Sequence, residues 1–242
     1  MILLTGDTHG ATDIHKLTAS RLDHAGLTRD DYLIILGDFG LVWEEPPAPK
    51  DKWWLDWLEQ RAPWTTLVVL GNHENYPLIR RSWAPEPWRG GRVRRLREHV
   101  LQLVDNEIFE IDGKMFFVRG GAHSTDRHYR VPGQTWWREE VPNEKERAAA
   151  LEKLRSVGWR VDYVLAHDAP ADALLALYAL QNSFSSGDEY TRWLQKLANN
   201  LEFTRWFFGH HHQDKIHLGK YTALYRWVVD LDLNMREAPP LA

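Results

Sequence analysis

Met1-Ile2-Leu3-Leu4-Thr5-Gly6-Asp7-Thr8-His9-Gly10 is a short apolar run that ends in a carboxylate and an imidazole two positions apart. The run has the length of a buried strand, and residues two apart on an extended backbone point the same way. Asp7 and His9 can therefore aim one oxygen and one nitrogen at a common point, with glycines on both sides to let the chain turn. Alone, an Asp-x-His has a plainer explanation, an Asp in a turn beside a surface His. Four later apolar runs that end in the same kinds of residue weigh against that explanation.

Tyr32 to Leu36 is continuously apolar, the pattern of a strand buried on both faces, and it delivers Gly37-Asp38. Thr65 to Leu70 ends in Gly71-Asn72-His73-Glu74. Val161 to Ala166 ends in His167-Asp168, and Phe203 to Phe208 ends in Gly209-His210-His211-His212. The first three runs alternate with helix-like stretches, and open α/β sheets place their sites beyond the carboxyl ends of their strands.

Helical spacing is read over Asp13 to Ala25, over Trp53 to Gln60 after a loop containing Pro46, Pro47 and Pro49, and over Ala171 to Ala179 and Glu189 to Leu197. Ser183 to Gly187 reads as the loop between the last two. Asn143 to Val157 is expected as a helix with Asn143 as N-cap and Glu146 as its capping-box partner. Arg80 to Arg97, rich in arginine, tryptophan and proline, reads as a solvated, irregular excursion. The rival reading is a basic rim for an anionic substrate or single-stranded nucleic acid. Val100 to Val104, Ile108 to Ile111 and Lys114 to Arg119 alternate around two hairpin signals, Asp105-Asn106 and Asp112-Gly113, and predict an antiparallel portion. Lys215 to Leu218 and Tyr221 to Asp230, joined through Gly219, read as closing strands.

The 242 residues suit one domain, expected over 1–232, with a frayed tail over 233–242. With 43% hydrophobic and 26% charged residues the composition is that of a globular protein. No apolar run approaches the ~18 residues of a membrane span. No basic leader precedes the first strand, and the expected location is the cytoplasm. The chain has no cysteine, so a transition-metal site has to be built from His, Asp, Glu and Asn. A formal net charge of -4 argues against a general nucleic-acid coat, and the 13 tryptophans are read as packing or rim residues.

In order, Asp7, His9, Asp38, Asn72, His73, His167, His210 and His212 stand at the ends of five apolar runs. The arrangement resembles the calcineurin-like metallophosphoesterase superfamily, in particular a small bacterial and phage-borne branch. Its D-x-H, G-D, G-N-H-[DE], lone His and G-H-x-H motifs are matched in the family's order by Asp7-Thr8-His9, Gly37-Asp38, Gly71-Asn72-His73-Glu74, His167 and Gly209-His210-His211-His212. The resemblance implies an α/β fold, a four-layer α/β/β/α sandwich of two mixed β-sheets, with the strand ends gathered around two divalent metal ions. One metal would take Asp7, His9 and His212, the other Asn72, His167 and His210, with Asp38 bridging. Manganese is expected first, with Fe, Zn or Ni as alternatives, because neutral imidazoles suit these ions better than Mg. The implied activity is hydrolysis of a phosphodiester or phosphomonoester by direct attack of a metal-bridging hydroxide, with His73 as general acid.

Protein phosphatases of the superfamily carry G-D-x-V-D-R-G, whereas this chain has Gly37-Asp38-Phe39-Gly40-Leu41-Val42-Trp43. The arginine and the second aspartate are missing. Arg127 or Arg130, in the loop after Gly120-Gly121, is expected to supply the phosphate contact, with His123 of the same loop as a further substrate-binding candidate and His128 also in that loop. His211 is expected to point away from the metals, His15 and His24 to lie on a helix surface, and His99 and His217 to sit in strands. The partner is a phosphate ester, with nucleotides and nucleic acid among the candidates and no membrane; the oligomeric state is left open. The rival functions are a phosphoprotein phosphatase or nuclease of the same superfamily, and a metal-binding regulatory module without turnover.

Overall fold

The apolar runs form strands whose alternate residues feed two different cores. A computed structural model describes residues 1–179 and 187–238. In chain order its elements are β1 (Ile2–Thr5), β2 (Tyr32–Leu36), α1 (Pro49–Gln60), β3 (Thr65–Val69), α2 (Tyr76–Ser82), β4 (Pro85–Trp88), β5 (Gly91–Arg97), β6 (Val100–Leu103), β7 (Ile108–Ile111) and β8 (Lys114–Arg119). There follow α3 (Glu144–Ser156), β9 (Tyr163–Ala166), α4 (Ala171–Ala179), α5 (Glu189–Asn200), β10 (Arg205–Phe208), β11 (Lys215–Leu218), β12 (Tyr221–Ala223) and β13 (Val229–Asp230). One sheet runs β13-β1-β2-β3-β6-β5-β4 and the other β11-β12-β10-β9-β8-β7. Both mix parallel and antiparallel pairs.

On β2, Tyr32, Ile34 and Leu36 face the core between the sheets, where Val69, Phe116, Leu165 and Phe207 join them. Leu33 and Ile35 face the other way, into a core shared with Trp54, Leu55 and Leu58 of α1 and with Trp64. Beyond the second sheet, Val164, Trp206 and Phe208 pack on Leu154 of α3, Leu174 and Leu177 of α4, and Leu194 and Leu197 of α5. The result is the four-layer α/β/β/α sandwich. At about 1.5–3 kcal/mol for each fully buried large apolar side chain, burial on both faces explains why the central strands carry continuous rather than alternating apolar residues. The pairing of β1, β2 and β3 is parallel and in step, Leu4 opposite Ile34 and Ile34 opposite Leu67. Their carboxyl ends therefore open on one edge.

Several expectations are corrected. Asp13 to Ala25 is not an α-helix: only a 3-10 turn, Ile14–Leu17, forms, and turns follow. Pro49 does not belong to the loop but opens α1, where its missing N–H costs nothing. Arg80 to Arg97 is not an irregular excursion. It ends α2 and forms a β4–β5 hairpin that extends the first sheet, β5 pairing with β6. Arg92 and Arg95 point outward and pair with Glu107 and Glu86, and Arg80 pairs with Glu146. Asp105-Asn106 is no hairpin turn, because β6 and β7 belong to different sheets and the dipeptide crosses between them. Tyr221 to Asp230 likewise divides into β12 and β13, one in each sheet.

Residues 233–238, read as the start of a frayed tail, are tied back: Arg236 N donates to Val228 O and Ala238 N to Arg21 O, both at 2.9 Å. The rest of that tail, 239–242, and residues 183–186 of the loop read between α4 and α5 lie outside the described residues. Among the described residues no helix is long and apolar enough to cross a membrane.

Candidate metal centre

The residues after β1, β2, β3, β9 and β10 converge, but not by the route expected from alternation along an extended chain. His9, Asp38, His210 and His212 all have left-handed backbone, with φ of 43°, 46°, 64° and 50°. Tight turns rather than the pleat aim these side chains inward. Such conformations cost about 1–3 kcal/mol each and persist only where neighbouring structure imposes them. Here Thr8 N and His9 N both donate to Asp38 O, at 3.1 and 2.8 Å, and lock the first loop to the second.

The glycines of the motifs make room for neighbouring carboxylates. A Cβ on Gly71 would lie 2.0 Å from Asp38 Oδ1, and one on Gly209 would lie 2.3 Å from Asp7 Oδ1. The freed oxygens are used: Asp38 Oδ1 accepts from His73 N at 2.8 Å, and Asp7 Oδ1 from His210 N at 2.9 Å.

Two clusters result, Asp7 with His9 and His212, and Asp38 with His167 and His210. Asn72 joins the second, its Oδ1 2.9 Å from His167 Nε2. Asp38 faces both: Oδ2 is 3.5 Å from His9 Nε2 and Oδ1 is 3.3 Å from His167 Nε2. His73 stands outside the clusters, its Nε2 4.0 Å from Asp38 Oδ2.

Two of these imidazoles have their outer nitrogen committed. His167 Nδ1 donates to Leu36 O at 2.8 Å, which turns Nε2 inward, and His9 Nδ1 meets Asp13 Oδ2 at 2.8 Å with the same effect. His212 stacks on Tyr225, with ring centroids 4.7 Å apart. Asp7 Oδ2 is buried and has no hydrogen-bond partner among the described residues, although His212 Nε2 lies 3.2 Å away off the bonding direction. Lone pairs facing one another with an orphaned buried carboxylate oxygen is the arrangement that divalent cations satisfy.

The electrostatics agree. Burial opposes the charge on Asp38, yet His167, His9 and the other imidazoles hold it far below the usual carboxylate range. Asp7 is also held low, burial being outweighed by His212 and His167. Burial works against a proton on His9, but Asp38 and Asp7 raise its pKa to about 9, and a field that favours a proton there favours any cation. His210 is pushed down to about 3, chiefly by burial. Glu74, raised to about 8 by burial and by Asp38, accepts from Phe39 N at 2.6 Å and ties the loop after β3 to the loop after β2. The His73 pKa is lowered, by burial first and by Arg130 as well.

Of the expected phosphate contacts the structure brings one to the site. Arg130 Nη2 lies 3.4 Å from His73 Nε2, while Asp126 fixes the guanidinium at 2.8 and 2.7 Å. Arg127 is exposed and, with His123, lines a neighbouring cavity of about 870 Å³. His123 also borders a cleft of about 440 Å³ with Tyr178, His211 and His212. His211 turns to Asp168 Oδ1 and Tyr178 Oη, both at 2.9 Å. His128 is exposed; His24 sits in no helix, and His99 occupies the turn between β5 and β6. Sequence reasoning missed Asp13, Ser124 and Glu140. Asp13 had a faint signal, four residues after His9; the other two had none.

The sequence profile of the calcineurin-like phosphoesterases matches residues 1–214. Among curated proteins no sequence matches the chain.

Proposed function

The chain belongs to the calcineurin-like phosphoesterase family, and from that premise we propose that it is a two-metal phosphoesterase with His73 as general acid. Asp7, His9 and His212 would hold one cation and Asn72, His167 and His210 the other, with Asp38 shared. The observation that carries this reading is the Asp38 carboxylate, whose two oxygens face two separate imidazole clusters. Manganese is the proposed ion, since the donor set is mostly imidazole. When bound, such a pair supplies Lewis acidity toward phosphoryl oxygens and lowers the pKa of water into the neutral range.

The chain's own residues do the rest. Arg130, oriented by Asp126, offers a fork for a phosphoryl oxygen beside His73. Without substrate that guanidinium and burial disfavour a proton on His73. An anionic ester bound beside both side chains reverses the balance, and His73 Nε2 then has a proton to hand to the leaving oxygen. One guanidinium, partly offset by Asp126, suits the single charge of a diester better than the double charge of a monoester. The internal partners of Arg80, Arg92 and Arg95 weigh against a nucleic-acid rim. A general acid outside both clusters weighs against a regulatory module without turnover. The absence of cysteine is compatible with the cytoplasm, the proposed location.

The test is hydrolysis of bis(p-nitrophenyl) phosphate and p-nitrophenyl phosphate by metal-stripped protein reloaded with Mn. Metal-dependent turnover that Asp38→Asn abolishes and His73→Gln lowers is expected, with the diester preferred. No turnover on either ester with Mn, Fe, Zn or Ni would reject the enzyme reading.

A further inference from the structure

Asn72 reaches the centre with a two-faced side chain, an oxygen that can hold a cation and an NH₂ that cannot. Nothing in the residue itself selects the oxygen. Two side chains outside the centre do. Asn72 Nδ2 donates to Ser124 Oγ at 3.0 Å, and Ser124 Oγ donates to Glu140 Oε2 at 2.5 Å. The second Glu140 oxygen, Oε1, accepts from Ser124 N at 3.0 Å. Glu140 and Ser124 are 1% and 4% exposed, so bulk water does not compete for these bonds.

We propose that Glu140 is a positioning residue that sets the direction of this hydrogen-bond chain and so presents Asn72 Oδ1, not Nδ2, to the second cation. The proposal rests on the two-cation reading above. A carboxylate only accepts, so the Ser124 hydroxyl must spend its one hydrogen on Glu140. Lone pairs alone remain toward Asn72, and the amide answers with its NH₂. The oxygen is left facing His167 Nε2, at 2.9 Å. Polarity is thus carried from a buried acid to a proposed ligand through one hydroxyl.

The backbone is shaped for the contact. Glu140 closes a short 3-10 turn, Arg138–Glu140, and its carbonyl packs against Gly121, where a Cβ would lie 1.9 Å from Glu140 O. Gly121 N in turn donates to Leu70 O at 2.8 Å, at the root of the Asn72 loop. Burying a carboxylate is costly unless it is hydrogen-bonded, and Ser124 supplies two of the bonds.

Glu140→Gln changes the polarity with almost no change of shape. The new amide can donate to Ser124 Oγ, the hydroxyl hydrogen is released toward Asn72, and the Asn72 amide is free to flip. The experiment is calorimetric titration of Mn into metal-stripped wild type, Glu140→Gln and Ser124→Ala, with NMR of the Asn72 side-chain amide in the same metal-free proteins. Wild type should bind two equivalents. Both variants should keep the first and bind the second about 10- to 100-fold more weakly, the usual cost of losing an outer-shell partner. Asn72 NH₂ protons, slow to exchange in wild type, should exchange faster in both. Unchanged affinity for both equivalents in Glu140→Gln would overturn the proposal. Fewer than two equivalents in wild type would refute the two-cation reading instead; the hydrogen-bond chain is then judged on NMR, and unaltered Asn72 amide exchange in Glu140→Gln would overturn it.

Discussion

Arg130 Nη2 and His73 Nε2 lie 3.4 Å apart although 57 residues separate them in the chain. A guanidinium held beside an imidazole places two nitrogens where a single phosphate group can meet both. Arg130→Ala should lower kcat/KM by about 10- to 100-fold, mainly through KM, as expected for a lost charge-assisted hydrogen bond of ~1.5–3 kcal/mol. Inhibition by inorganic phosphate should weaken in parallel. Arg127→Ala, at an exposed position, should change either constant by no more than about two-fold. Steady-state kinetics of both variants check this.

His9 owes its orientation to Asp13, which meets the ring nitrogen turned away from the centre at 2.8 Å. Asp13→Ala should weaken the first Mn equivalent by about 10- to 100-fold and leave the second unchanged, the reverse of the Glu140 variants. Calorimetry separates the two patterns.

Gly71→Ala would put a methyl group 2.0 Å from Asp38 Oδ1 and 2.2 Å from Asp38 N. Both atoms belong to a buried residue with no room to retreat, so the shared carboxylate must shift. A displacement near 1 Å costs on the order of 100-fold in rate. Turnover should fall at least that far, and metal analysis should find less than two equivalents bound; normal stoichiometry and rate would contradict the packing described.

Glu107 stands between the two sheets and receives Arg92 from β5 and Lys153 from α3, at 2.5 and 2.8 Å. Burial raises its pKa, but Lys153 and Arg92 outweigh burial and hold it below the ordinary 4.5. A depressed carboxylate pKa means that the unfolded chain binds the proton more readily. Its stabilising contribution is complete above pH 4.5 and disappears as pH falls through the depressed value. Urea unfolding should show Glu107→Gln less stable than wild type at pH 7, with the gap closing in acid. A gap that persists at pH 2 would assign the loss to packing instead.

The legible part of the centre lies at strand ends. Asp7, Asp38, Asn72, His167 and His210 each terminate an apolar run, and a run buried on both faces is recognisable without its neighbours because its residues must nearly all be apolar. Gly37, Gly71 and Gly209 were visible as punctuation, while their use as space for the carboxylate or imidazole of another strand was not. Arg80 to Arg97 misled for a physical reason. β5 lies beside the edge strand β4, and its exposed Arg92 and Arg95 break its apolar pattern, while its pairing with β4 and β6 is tertiary information.

The local pattern of residues was therefore enough for the α/β class, the strand ends that carry chemistry, and a donor set of imidazoles, carboxylates and one amide, because each depends on neighbours within a few residues, whereas the layering came from the family resemblance. The division of those donors into two clusters and the turn of Asp38 toward both were expected only through the family resemblance, and the folded molecule alone set the meeting of His73 with Arg130 and the polarity that Glu140 imposes on Asn72 through Ser124. Those are distances between side chains far apart in sequence. Hydrogen bonds and charges act over a few ångströms, and no spacing along the chain encodes which loops will come that close.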